Sequence, residues 1–396
     1  MPDPLHWLDD ELRRLDREHL RRHLRVRTGM QDAVIDLDGR TVVNFGSNDY
    51  LGLAADRRLV IAASNVAADS GWGSGSSPLI IGRSDQHDAL EQALALFEHS
   101  ESALVFNTGF AANASIIPAI VGDEDVIFSD ALNHASIVDG CRLAKAPTLV
   151  YRHRDVDHLE QLLREQSHAR RRLIVTDTLF SMDGDLAPLA ELSQLASRYD
   201  AMLMVDEAHA TGVFGQHGRG LCEVAGIETE QQVAIRMGTL SKALGGCGGF
   251  VSGPQKLIDW LVNRARAYVF STALPAAACA ASVEALNIVK HEAHRRLELL
   301  ARAETLREQL QADGWNIGDS ASQIIPLILG DPAATVELAR QLFDRGYFVP
   351  AIRPPSVPPS SARLRISLSW LHTQTMIDDL VITLRTLRPT VTGHAS

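Results

Sequence analysis

The chain has 396 residues, 45% hydrophobic, 22% charged and only 5% aromatic, with 38 Lys and Arg against 49 Asp and Glu for a formal charge of −11. This is a globular composition, and the length exceeds what one hydrophobic core usually organises, so one large domain and at least one smaller one are predicted. The negative field disfavours nucleic acid as a partner. The four scattered cysteines contain no C-x-x-C pair and point away from a zinc knuckle or redox dithiol.

Taken in chain order, residues 5–27 carry Leu8, Leu12, Leu15, Leu20 and Leu24 at helical spacing among arginines, which predicts an amphipathic arm. Residues 41–45 (TVVNF) predict a short strand, and 71–77 (GWGSGSS) a loop ended by Pro78. Residues 88–99 predict a helix with Leu90, Leu94 and Phe97 on one face. Short apolar runs then recur at 103–107, 126–130, 173–180, 202–209, 233–242 and 249–253, with helical stretches between several of them. Such alternation implies βαβ units and a mostly parallel sheet covered on both faces. Polar residues just past strand C-terminal ends then face a ligand crevice, which singles out Asp177, Ser181, Asp206, His209, Thr239 and Lys242. Beyond residue 290 a charged helix (291–311), a strand (323–329), a helix (335–345), a proline-rich turn (353–359) and a strand (363–369) predict a smaller α+β domain. The most apolar stretch, 273–289, contains Pro275 and Glu284 and reads as a core helix, not a membrane span. The N-terminus opens on Asp3, Asp9, Asp10 and Glu11 without an apolar region, so a cytoplasmic protein without membrane attachment is expected.

Several motifs fail. No P-loop sequence occurs, and the run Gly71, Gly73, Gly75 has Ser76 and Pro78 where a dinucleotide fingerprint would need a further glycine. His291 and His294 are one residue short of the H-E-x-x-H zinc spacing, and no metal site is expected. Asp206-Glu207-Ala208-His209 has the letters of a helicase motif but lacks the phosphate-binding lysine which that chemistry needs.

A different constellation carries chemistry. Lys242 follows an apolar strand amid Gly245, Gly246, Gly248 and Gly249, small residues that let a ligand approach. Asp206 ends the run MLMV, where a carboxylate is costly to bury unless it meets a cation. A pyridinium nitrogen is such a cation, and a lysine for a Schiff base with an aspartate for the ring nitrogen is the pyridoxal 5′-phosphate (PLP) arrangement. His134, Ser181, His209, Thr239 and the Gly109–Phe110 turn are candidates to stack on the ring, bond its phenolic oxygen and hold its phosphate.

The segments SNDYLGL (47–53), TGFAAN (108–113), NHASIVDG (133–140), FSMDGDLAPL (180–189), VDEAHATGVFG (205–215), GTLSKALGG (238–246) and YVFSTALPA (268–276) resemble the α-oxoamine synthase family over roughly residues 20–385, in the same order. The resemblance implies the α/β architecture of fold-type I PLP-dependent transferases: a large domain (47–289) with a mostly parallel seven-stranded sheet, a smaller α+β domain (290–396) and an arm (1–46). It implies that Lys242 forms the Schiff base, His134 stacks on the ring, Asp206 meets the pyridine nitrogen, and Ser181 and His209 serve the phenolic oxygen. Gly109, Phe110 and Thr239 match phosphate-binding positions, and Ser271 and Thr272 a phosphate contact reaching across a homodimer interface. Arg353 matches an arginine for the amino-acid carboxylate, with Asn48 nearby, and Arg21 a position where the acyl substrate enters. The segment 351–369 is most similar to the branch that condenses L-alanine with a pimeloyl thioester, of CoA or a carrier protein, in biotin biosynthesis. The neighbouring branches join glycine or serine to other acyl thioesters. A departure from the family's glycine-rich loop falls at Ser76 and Pro78.

Overall fold

The computed structural model describes residues 3–392, which divide into two compact units. One unit comprises the chain up to Asn48, Met182–Asp185, and the chain from Glu298 onward; the other comprises Asp49–Ser181 and Leu186–Leu297.

In the first unit the Leu/Arg-rich arm is helical over Trp7–Arg17, with acidic residues in its first turn, basic residues in its last and no buried residue. Strands β1 (Arg27–Thr28), β2 (Val34–Leu37) and β3 (Arg40–Asn44) follow. Asp38 and Gly39, both at positive φ, form the two-residue turn that pairs Leu37 with Arg40.

In the second unit, seven strands build the main sheet: β4 (Ser102–Phe106), β5 (Val126–Asp130), β6 (Thr148–Tyr151), β7 (Arg172–Asp177), β8 (Met202–Asp206), β9 (Ile235–Thr239) and β10 (Gly249–Gly253). Their order is β4-β10-β9-β8-β7-β5-β6, and only β10 runs against its neighbours. This is the fold-type I arrangement expected from the sequence. Central strands such as β8 are buried on both faces, which is why they read as unbroken apolar runs. Leu173, Val175, Met204, Met237 and Val251 pack with Ile116, Ile117 and Ile137 from the helices Gly109–Ile120 and Ala135–Leu143. β6 is not among the apolar runs, being an edge strand whose Thr148 and Leu149 are half-buried and whose Val150 is exposed. The apolar runs at 173–180, 202–209 and 233–242 leave the sheet at Asp177, Asp206 and Thr239, earlier than their hydrophobicity suggests.

The first unit is completed by β11 (Ile324–Gly330), β12 (Tyr347–Phe348), β13 (Ala351–Ile352) and β14 (Ala362–Ser367). β12 adds in parallel to β3, and β11-β14-β13 forms a separate antiparallel sheet. The short segment Met182–Asp185 is fastened to it. Gly184 accepts hydrogen bonds from Ala321 N (3.0 Å) and Ser322 Oγ (2.8 Å), and Arg363 pairs with Asp183. Gly184 sits at φ +71°, and a Cβ there would lie 2.0 Å from the Ile324 carbonyl oxygen, so only glycine fits. Among the described residues, no helix is long and apolar enough to cross a membrane.

Candidate active site

β7 and β8 end level, with Asp177 paired in register with Asp206, while β9 pairs Met237 with Asp206 and runs on to Thr239. The C-terminal ends of parallel strands place their polar residues along one rim. A cleft of about 200 Å³ opens there, lined by Gly109, Phe110, His134, Ser136, Asp177, Asp206, His209, Thr239, Ser241 and Lys242 among others.

One end of the cleft is the N-terminus of helix Gly109–Ile120, capped by Thr108, whose Oγ1 accepts from Ala111 N at 3.0 Å. The first N–H groups of a helix lack intrahelical acceptors and carry partial positive charge, so this end suits an anion. Gly249 lets β10 start against it, since a Cβ there would lie 2.6 Å from Gly109 N. Thr239 Oγ1 donates to Gly248 O (2.9 Å) and lies 2.9 Å from Ser241 Oγ, which adds hydroxyls beside the helix.

The floor holds the carboxylates. Asp206 is 3% exposed; Oδ1 accepts from Ala208 N (2.8 Å) and Oδ2 from Asn113 Nδ2 (2.7 Å). Asp177 accepts from the His134 backbone N–H at 2.6 Å, and burial beside Asp206 pushes its carboxyl well above the usual range. His134 caps helix Ala135–Leu143, and burial with Lys242 nearby holds its imidazole below the ordinary histidine value. His209 Nδ1 lies 2.6 Å from Tyr50 Oη. The set offers an amine for a carbonyl, a buried carboxylate for a ring cation, imidazoles for proton work and an anion cradle.

Other sequence candidates lie elsewhere. Ser181 follows β7 and is not on the cleft lining. Ser271 and Thr272 line a different cavity with Arg83, His87 and Tyr268. Arg21, Asn48 and Arg353 belong to the first unit. Arg21 pairs with Asp16 at 2.6 Å. Arg353 donates to His19 O (2.6 Å), and burial together with the neighbouring Arg22 weakens its hold on its proton. A further arginine, Arg365, which the sequence reading did not single out, meets Asn48. It is 5% exposed, and its Nη1 donates to Asn48 Oδ1 (3.1 Å) and Ser367 Oγ (2.7 Å). Arg365 lies on β14, every residue of which is buried, so the face opposite Leu364 and Ile366 is covered as well, which alternation alone does not signal. Asn113 and Ser136 were also overlooked; polar residues on helices packed in the core were the clue.

The sequence profile of the aminotransferase class I and II family matches residues 40–384. The chain belongs to this family. Within it the chain groups with the fold-type I α-oxoamine synthases. It is 48% identical to the 8-amino-7-oxononanoate synthase of Anaeromyxobacter dehalogenans strain 2CP-1, over 97% of this chain and 96% of that one. It is 43% identical to 8-amino-7-oxononanoate synthase 2 of Bacillus subtilis, over 96% and 97%. Among solved α-oxoamine synthase structures, Sphingomonas wittichii serine palmitoyltransferase superposes with a TM-score of 0.92 at 31% identity, covering 98% of this chain and 99% of that one. The Francisella tularensis 8-amino-7-oxononanoate synthase gives 0.77 at 27% identity, over 88% and 98%.

Proposed function

We propose that the chain is a PLP-dependent acyltransferase that condenses L-alanine with a pimeloyl thioester to 8-amino-7-oxononanoate, releasing CO2 and the thiol, a step of biotin biosynthesis. The observation that carries this reading is identity of 43–48% along nearly the whole chain to proteins named for that product. The serine palmitoyltransferase likeness is close in shape but rests on 31% identity, and it supplies the second reading, another amino acid and another acyl chain.

The cleft fits PLP by its donor set. The Gly109–Phe110 helix start with Thr239 would hold the phosphate, Asp206 the ring nitrogen, His209 the phenolic oxygen, His134 the ring face, and Lys242 the aldehyde carbon, with Ser181 reaching the phenolic oxygen only from outside the lining. When bound, PLP supplies an electron sink for negative charge developing at the amino acid's Cα. Lys242 Nζ takes the α-proton of alanine and returns one after CO2 has left. His134 donates a hydrogen bond towards the thioester oxygen as the new C–C bond forms and the thiolate departs.

Alanine and the pimeloyl group each bring a carboxylate, and the first unit holds arginines suited to both. Arg365, buried with Asn48, takes the amino-acid carboxylate, while Arg353 beside Arg22 takes the free end of the acyl chain, with Arg21 close to that path. Residues 47–289 act as the cofactor domain in this scheme, and 290–396 with the 1–46 arm as the arginine-bearing domain. A homodimer completes it, Ser271 and Thr272 serving the partner's phosphate. Exposed Ile80 (73%), Ile81 (79%) and Phe270 (70%) support such an interface.

The test is the purified holoprotein with a panel of amino acids and acyl thioesters, read by thiol release. Alanine with a pimeloyl thioester is expected to dominate; serine with a long-chain thioester dominating would overturn the reading. Lys242→Ala is expected to lose the covalent cofactor's visible absorbance and roughly 10³-fold in turnover. A retained chromophore would refute its role.

A further inference from the structure

The polar chain behind the cleft determines which nitrogen of His134 carries its proton. It starts at Asp206, whose Oδ2 lies 2.7 Å from Asn113 Nδ2. Only the N–H side of an amide can face a carboxylate, so Asp206 fixes the orientation of the Asn113 amide. The second Nδ2 hydrogen then points to Ser136 Oγ, 2.9 Å away. Asn113 is completely buried, and this orientation leaves its Oδ1 without a partner. An unmet buried acceptor is destabilising, which is the mark of an amide held by what its other end must do. Ser136 Oγ, accepting from Asn113 on one side, has its own hydrogen to give to His134 Nδ1 at 2.8 Å. The Ser136 backbone N–H also donates to that nitrogen, at 3.2 Å. Two donors converge on Nδ1, so Nδ1 is an acceptor and the ring proton sits on Nε2.

We infer that Asn113 and Ser136 are positioning residues that lock His134 as the neutral Nε2–H tautomer and tie that choice to Asp206. The relay gives His134 one outward donor in a fixed place, which is what a group aimed at a developing oxyanion requires. It also opposes protonation, because accepted hydrogen bonds stabilise the neutral ring. Three charged or titratable groups face His134: Asp177 through the His134 backbone N–H, and Asp206 and Lys242 through space. Asp206 favours the imidazolium, while Lys242 and burial oppose it.

This inference rests on the synthase reading for what His134 does, but not for its tautomer, and the experiment separates the two. The holoprotein is labelled with ¹⁵N-histidine, and the His134 resonances are assigned by their loss in His134→Gln. Long-range ¹H–¹⁵N spectra are expected to show Nε2 protonated and Nδ1 bare in the wild type. In Asn113→Leu the Ser136 hydroxyl is free to turn and accept, and a mixture of tautomers is expected. In Ser136→Ala the acidic limb of the kcat/KM profile is expected to move up in pH, towards the ordinary histidine value of about 6.5, and Ser136→Thr to restore it. A protonated Nδ1 in the wild type would overturn the inference. So would an unchanged tautomer and pH limb in folded, PLP-loaded Asn113→Leu and Ser136→Ala. If the tautomer is as stated but alanine and pimeloyl thioester give no product, the synthase reading fails and the relay stands.

Discussion

Asp206 and Arg365 carry the account at the level of single residues. Each is a charged group that the fold buries and surrounds with assigned partners, and a buried charge is retained where something must be bound. Asp206 was legible in the sequence because it interrupts an apolar strand, and Lys242 because small residues follow it. Arg365 was not, because an arginine alternating with Leu364 and Ile366 looks like an ordinary outward residue until its burial and its pairing with Asn48 are seen. The two arginines separate kinetically in this scheme. Arg365→Lys is expected to raise KM for alanine about tenfold or more through loss of a charged, planar hydrogen-bonding fork, leaving KM for the thioester near wild type. Arg353→Gln is expected to do the reverse. Steady-state kinetics with each substrate varied in turn checks both, and a rise in alanine KM for Arg353→Gln alone would exchange their roles.

At the level of elements, apolar periodicity located six of the seven strands of the main sheet. It failed at β6, where an edge position removes half of the burial. It also overran at the C-terminal ends of β7, β8 and β9, where apolar residues line turns beside the cleft. The Asp38-Gly39 pair was a readable hairpin signal that went unused. The joint between β3 and the segment after β14 was not readable, because it depends on His372. This residue stacks on Phe45 with ring centroids 4.3 Å apart, accepts from Ser369 N at 2.9 Å and donates to Asn44 O at 3.0 Å. Burial brings its value down to about 4. The unfolded chain therefore binds a proton that the folded chain refuses. The stabilisation is complete above about pH 6.5 and is lost as pH falls from there towards 4, by roughly 3 kcal/mol. Urea titrations across that range are expected to show a flatter pH dependence for His372→Gln than for wild type, although the variant is less stable at neutral pH. Equal slopes would remove His372 as the cause.

At the level of the whole molecule, a net charge of −11 gave no hint of the arginines that two anionic substrates and a phosphate require. The exposed run Leu79, Ile80 and Ile81, with Phe270, is costly to leave in water and is the surface expected to be covered by a second copy. Light scattering is expected to give twice the 43.2 kDa chain mass. The double variant Ile80→Asp, Ile81→Asp is expected to shift towards monomer and lose activity with it, because Ser271 and Thr272 would no longer reach the partner's cofactor. A monomeric wild type with full activity would remove the shared site.

Carbon accounting distinguishes a decarboxylating condensation from a simple acyl transfer. Holoprotein given carboxyl-labelled L-alanine and a pimeloyl thioester should release one labelled CO2 for each thiol set free, with the remaining alanine carbons recovered in 8-amino-7-oxononanoate. Thiol release without labelled CO2, or labelled CO2 without the nine-carbon product, would contradict it.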